Sequence, residues 1–170
     1  CGEHRTIGGI VTFGGSVHAA GNFERTSAGG LVIGRIDGTR EAQLDALEAL
    51  LNPVGTVRQT TNLMGARFSK LAINCAVSGL GTVAGTPLGA LLNSSEARNL
   101  ALGVMREAVA VSRAERITLE SLNGTVDLDW LADPDAPNHG PSHWLRHAVL
   151  WGVGFKYRKM RSSMLRAIEA

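Results

Sequence analysis

The chain has 170 residues, with 17 Lys and Arg against 15 Asp and Glu, 44% hydrophobic residues and 5% aromatics. That composition excludes a disordered chain, and domains of ~100–150 residues leave room for one large domain or two small ones but not for a full two-domain enzyme. A net charge of +2 excludes a polyanion binder as a whole, and no apolar run approaches the ~20 residues of a membrane span.

In chain order, Ile7–Phe13 and Leu31–Ile36 are short apolar runs bounded by turn formers and read as strands. Asn22–Thr26 between them alternates like a third, with Gly14-Gly15 and Gly29-Gly30 as turns. From Asp37-Gly38-Thr39, a turn and N-cap, a helix over Arg40–Leu51 places Leu44, Leu47, Leu50 and Leu51 on one face, and Asn52-Pro53 stops it. A last strand covers Thr56–Thr60. Beyond residue 61 the pattern turns helical: 62–83, Pro87–Asn93, Ser94–Glu115 with Leu100, Val104, Ala108 and Val111 as a stripe, and Pro141–Ala170. The stretch Asn123–Gly140, with two prolines and four aspartates, reads as a loop. The break near residue 60 divides the chain into a strand-rich piece, 1–60, and a helical piece, 61–170.

Two cysteines, Cys1 and Cys75, are too few for a disulfide framework and lie in no CxxC pair. With a start, Cys1-Gly2-Glu3-His4-Arg5, unlike a signal peptide, the expectation is a soluble cytoplasmic protein in a reducing compartment. Charge is uneven: residues 140–170 carry Arg146, Lys156, Arg158, Lys159, Arg161 and Arg166 against Glu169 alone, a run best read as a solvated helix face. Gly79-Leu80-Gly81-Thr82-Val83-Ala84 fits the GxGxxG/A fingerprint, but Thr86-Pro87 interrupts the helix it needs and no second strand follows, so close helix packing explains it better. His143 and His147 have the spacing of a zinc pair, with Trp144 where HExxH has Glu and no third ligand, and no metal is assigned. Asp127, Asp129, Asp133 and Asp135 lack the order of a calcium loop. Trp144 and Trp151 read as core or interface anchors.

The most informative block is Arg67-Phe68-Ser69-Lys70-Leu71-Ala72-Ile73-Asn74-Cys75-Ala76-Val77-Ser78. Lys70, Asn74 and Ser78 form a polar stripe beside apolar Leu71, Ile73 and Val77. A lysine in that setting is either a snorkelling surface chain or, with its pKa lowered by desolvation, a proton donor to a developing alkoxide.

Lys70-Leu71-Ala72-Ile73-Asn74-Cys75-Ala76, followed at a distance by Arg161-Ser162-Ser163-Met164-Leu165, resembles the ketopantoate reductase (2-dehydropantoate 2-reductase) family, and Gly29–Gly34 resembles the closing part of that family's Rossmann domain. The resemblance implies an α/β plus all-α fold: the last strands of a Rossmann NADP-binding domain (1–60), then a mostly helical substrate and dimerisation domain (61–170) like the C-terminal domain of 6-phosphogluconate dehydrogenase. It implies hydride transfer from NADPH to a 2-oxo acid in a cleft between the domains, with Lys70 as general acid and Asn74, Ser78 and Ser163 as substrate contacts. Arg161 would add positive charge where a carboxylate docks. The family's N-terminal GxGxxG, its Asn-Gly motif and its Glu-containing motif after the SSML block are not found. The expectation is therefore a fragment, inactive alone, with no cofactor-binding residue assigned. Ser78 stands where the family often has asparagine, and the insertion around 124–145 points to a paralogue, so another 2-oxo acid than ketopantoate is open. The alternative reading is a non-catalytic module that forms a homodimer through Trp144, Leu150 and Trp151. No nucleic-acid or membrane partner is expected.

Overall fold

The structure, a computed structural model, describes all residues but 1, 3, 4, 123–125 and 170, and leaves aside the side chains of Ser163, Arg166 and Glu169. Cys1 and part of the expected loop Asn123–Gly140 therefore lie outside the described residues. The chain divides into two compact units, 1–67 with 118–126, and 68–117 with 127–170.

The first unit is built on a three-stranded sheet of order β1 (Gly8–Val11), β4 (Gly30–Gly34), β5 (Thr56–Thr60). β1 runs antiparallel to β4, and β5 runs parallel to it after the crossover helix α1 (Ala42–Leu51). Alternation along β4 feeds two cores. Val32 packs with Ile10, Leu63, Ala66 and Leu122. Ile33 packs with Leu44 and Val57, flanked by Leu31, Leu47 and Leu51. Covered on both faces, β4 is apolar throughout, as a central strand must be. Gly29 is the residue that lets the chain enter it: φ is +149°, and a Cβ would lie 2.5 Å from the Thr12 carbonyl oxygen.

Three expectations need correction here. The hairpin partner of β3 (Asn22–Arg25) is a strand, β2 (Gly15–Ala19), so Gly15 is not a turn residue; the turn is at Gly21, φ +76°. Thr39 does not cap α1. Asp37 accepts from the Thr39 N–H and hydroxyl, and the helix opens two residues later at Glu41. Leu50 is 74% exposed, because six residues at ~100° each put it a third of a turn from Leu44. Residues 118–126 return to this unit: Leu122 fills the core, and Glu120 accepts hydrogen bonds from Arg58 and Thr60.

The second unit is helical: the end of α2 (Leu63–Asn74), a π turn (Cys75–Gly79), α3 (Leu80–Ala84), α4 (Leu88–Asn93), α5 (Ser95–Ala114), α6 (Leu128–Leu131), α7 (Gly140–Lys156) and α8 (Ser163–Glu169). The expected helix 62–83 is thus one run interrupted by a wider turn. α5 buries Ala101, Leu102, Met105, Val109 and Ser112. The expected stripe through Leu100 and Val111 is displaced by one residue, ~100° around the helix, and those two side chains are more than half exposed. α7 turns Arg146, Leu150 and Gly154 inward against α4 and α5. Leu150 is therefore core rather than interface, and Arg146 is buried rather than solvated. Its Nε donates to the Trp130 carbonyl at 3.0 Å, and the guanidinium lies 5.5 Å from the indole centroid.

The aspartate-rich segment holds a helical turn, α6, capped by Asp127, which accepts from the N–H groups of Asp129 and Trp130. Leu128, Leu131 and Ala132 beneath it are buried, and Arg113 draws in Asp133 at 3.0 Å, Asp135 at 3.1 Å and Asp129 at 3.8 Å. The aspartates fasten the loop instead of being solvated separately.

Ser94 caps α5 as its spacing promised, accepting from the Ala97 N–H at 3.2 Å. Glu96 accepts from the hydroxyls of Ser94 and Ser95, and these bonds, the Ser94 one foremost, hold its pKa down to about 2. A carboxylate with a lowered folded pKa stabilises above its unfolded value, and that contribution is lost as pH falls through the folded one. Ser94→Ala is expected to cost ~1 kcal/mol in urea unfolding at pH 7, with the difference from the parent shrinking as pH falls from 4.5 towards 2.

Candidate active site

The KLAIN block spans the last turn of α2 and enters the π turn. Along this run Ser69, Ala72 and Ala76 are buried, and Leu71 is half exposed. The buried face is thus made of small side chains rather than of Leu71, Ile73 and Val77 as the pattern suggests. Small residues let neighbouring helices come close. Lys70 is half-buried, Asn74 exposed and Ser78 half-buried. Burial pushes the Lys70 pKa below the ordinary lysine value, and desolvation is the whole cause. No hydrogen bond or ion pair reaches Lys70 from the described residues.

Ser78 lies within the π turn that follows Asn74, and this affects the stripe. Four residues of α-helix overshoot one turn by ~40°, whereas a π turn advances less per residue. Ser78 therefore stays closer to the line of Lys70 and Asn74 than an unbroken α-helix would hold it. Cys75, the first residue of the π turn, is an exposed free thiol.

The second block reaches the first through a chain of hydroxyls. The Leu165 N–H donates to Ser162 Oγ at 3.0 Å. Ser162 Oγ and Thr82 Oγ1 lie 2.6 Å apart, and Thr82 Oγ1 donates to the Ser78 carbonyl at 2.7 Å. With one proton on each hydroxyl, Ser162 must donate to Thr82. Ser162 is also the cap of α8, which packs on α3 and the π turn. The two blocks of the sequence, some ninety positions apart, thus belong to one structural cluster. Ser163 is the first residue of α8, with its side chain outside the described part, and Arg161 is exposed just before it.

Thr82 and Ser162 are absent from the sequence-based candidates. The available signal was faint: Thr82 is four positions after Ser78, and Ser162 begins a short apolar helix in the manner of an N-cap. The turn before them is held by the Leu88 N–H, which donates to the Met160 carbonyl at 2.9 Å. Gly89 allows the close approach, since a Cβ there would lie 2.6 Å from Arg158 Cα.

Gly79–Ala84 lies wholly within the π turn and α3, and helix precedes it. Gly79 has helical torsions, φ −60° and ψ −58°. The segment offers neither the strand-to-helix turn nor the free N-terminal amides that a pyrophosphate needs. Among the described residues no group of three or more His, Cys, Asp or Glu side chains is arranged for a metal ion. A depression lined by Arg40, Asp45, Glu48, Arg58 and Gln59 lies in the first unit and does not include Lys70.

The family profile described as "Ketopantoate reductase PanE/ApbA C terminal" matches residues 62–170. The chain belongs to the ketopantoate reductase family. Its small sheet followed by a mostly helical region is the architecture expected of that family's later half. Among solved structures it is similar to the 2-dehydropantoate 2-reductase from Methylococcus capsulatus, with 21% identity and a TM-score of 0.69, over 96% of this chain and 45% of that one. The 2-dehydropantoate 2-reductase from Geobacter metallireducens GS-15 is 22% identical, with a TM-score of 0.65, over 99% of this chain and 59% of that one. A D-mandelate dehydrogenase in ternary complex with NADH and anilino(oxo)acetate is 15% identical, with a TM-score of 0.71, over 96% and 47%. At these identities the likeness is one of fold. The chain spans about half the length of these three structures. Among the described residues no helix is long and apolar enough to cross a membrane.

Proposed function

We propose that this protein carries the proton-donating half of a cytoplasmic oxidoreductase that reduces a 2-oxo acid, ketopantoate or a close analogue, to the 2-hydroxy acid, with NADPH as reductant. The observation that carries the reading is Lys70: half-buried, unpaired among the described residues, with a lowered pKa, at the head of a polar stripe within the stretch that the family profile matches.

As the keto carbon is reduced, negative charge gathers on its oxygen. The Lys70 ammonium stabilises that charge and gives up a proton from Nζ, forming the O–H bond and leaving a neutral amine that regains its proton from water. A lysine whose pKa lies below its usual value parts with the proton more readily. Asn74, one turn on, hydrogen-bonds the substrate or holds the lysine, and Ser78 and Ser163 contact the substrate's polar end. The exposed Arg161 guanidinium favours a carboxylate near α8. NADPH, when bound, supplies the hydride. The described residues do not fit its pyrophosphate, since Gly79–Ala84 is helical, so none is assigned to it and the chain alone is proposed not to turn over.

The test is NADPH oxidation by the intact gene product with ketopantoate and a panel of 2-oxo acids. Turnover of one member is the expected result; turnover of none overturns the reading. A shorter hydroxyl at Ser78, where the family often has asparagine, favours an analogue over ketopantoate itself.

A second reading, a dimerisation module, rests on α7. Trp144, Trp151 and Phe155 recur at helical spacing and are 76%, 52% and 63% exposed. One fold neighbour is described as a dimeric ketopantoate reductase from Staphylococcus aureus. Trp151→Glu is expected to convert a homodimer to monomer in sedimentation, and an unchanged sedimentation coefficient would remove this face from the assembly.

A further inference from the structure

Resting on the 2-oxo acid reading above, we propose that Thr82 is a positioning residue for substrate binding. Its hydroxyl sets where α8, and with it Ser163 and Arg161, stands against the π turn that carries Ser78. Thr82, the π turn and α8 all belong to the second unit, as does Lys70.

α8 is too short to hold its own place. It has seven residues, against the ~12–15 at which an isolated helix becomes even marginal in water. Among its described side chains Leu165 is buried, whereas Met164, Ala167 and Ile168 are exposed. A single apolar anchor resists withdrawal of the helix but, being non-directional, does not fix how the helix turns about it. Direction comes from hydrogen bonds. The Leu88 N–H holds the Met160 carbonyl at 2.9 Å, and two residues later Ser162 Oγ meets Thr82 Oγ1 at 2.6 Å. Arg161 and Ser163 are the residues on either side of Ser162, so the second of these links governs the stretch proposed to meet the substrate's polar end.

Proton order makes Thr82 the member that joins the two sides. Its one proton goes to the Ser78 carbonyl at 2.7 Å, while Ser162 Oγ accepts the Leu165 N–H at 3.0 Å and gives its own proton to Thr82. Thr82 is donor to the π turn and acceptor from the cap of α8 at once. Valine has the same outline and neither role, and it leaves the part-buried Ser162 hydroxyl without its acceptor. Serine keeps both roles. Lys70 has no bond to either hydroxyl among the described residues, so the change bears on substrate binding and not on proton donation.

Hydrogen exchange and steady-state kinetics of the intact gene product test this together. In Thr82→Val the α8 amides are expected to exchange about tenfold faster, with those of α5 unchanged. KM for the 2-oxo acid is expected to rise about tenfold, while kcat and KM for NADPH stay within twofold of the parent. Thr82→Ser is expected to restore both readouts. Ser162→Ala should raise the same KM, and the double variant Thr82→Val with Ser162→Ala no further than either alone. Unchanged α8 exchange in Thr82→Val, or faster exchange with an unmoved substrate KM, overturns the role of Thr82 alone. A parent that reduces no 2-oxo acid overturns the functional reading and the substrate role of Thr82 with it.

Discussion

Replacing Lys70 with alanine is expected to lower turnover by ~10²–10⁴-fold, with a much smaller change in substrate KM, because a general acid acts on the transition state rather than on the bound ground state. Lys70→Arg is expected to be almost as poor: a guanidinium keeps the charge but does not release its proton near neutral pH. The pH profile gives an independent check. Because burial lowers the Lys70 pKa, the parent's rate should fall on the alkaline side at a pH below the ordinary lysine value, and this limb should vanish in Lys70→Ala. Unchanged turnover in the alanine variant would remove Lys70 from the mechanism.

The same burial has a cost in stability. A lysine whose folded pKa is lowered binds fewer protons folded than unfolded, so stability rises with pH through the window between the two values. Lys70→Met, which keeps the stem without the charge, is therefore expected to be more stable than the parent at neutral pH and no longer to gain across that window.

Leu92 and Gly154 carry the largest expected effect on folding. Leu92 on α4 is almost wholly buried, and a Cβ on Gly154 of α7 would come within 2.8 Å of Leu92 Cβ. Leu92→Ala is expected to cost ~2–5 kcal/mol, as a cavity opens in the α4–α7 layer. Gly154→Ala meets the opposite fault, overpacking, at ~1–3 kcal/mol. Combined, they should cost about the sum of the single changes, since the atom that the methyl at 154 meets first is Leu92 Cβ, which alanine keeps. A cost well below the sum in urea unfolding would show that the volume vacated at 92 takes up the methyl.

Why some of this was legible in the sequence and some was not follows from what each pattern encodes. Thr56–Thr60 reads correctly as a strand because β-branched Thr56, Val57 and Thr60 follow the turn formers Asn52, Pro53 and Gly55, and Ser94 reads as a cap because its chemistry is local. Leu100 and Val111 misled because α5 has apolar residues on two adjacent stripes, and only packing decides which one is buried. Residues 118–126 have no period at all; Leu122 and Glu120 join the sheet unit through contacts distant in sequence that no window can detect. In the candidate site, the block carrying Lys70 and Asn74 is contiguous and recognisable. The hydroxyl chain from Ser162 through Thr82 to Ser78 depends on two helices meeting, which spacing along the chain does not reveal.

The π turn at Cys75–Gly79 holds one residue more than an α-helix would spend there, so it acts as a counter for the chain. Removing that residue would let α2 run straight into α3 as a single rod. Everything after it would then rotate by ~100° and slide by ~1.5 Å relative to Lys70. Thr82 would leave Ser162, and the C-terminal block would lose its foothold beside Ser78. In this segment, chain length matters as much as residue identity: a single-residue deletion disturbs the alignment more than most substitutions of the residues it aligns.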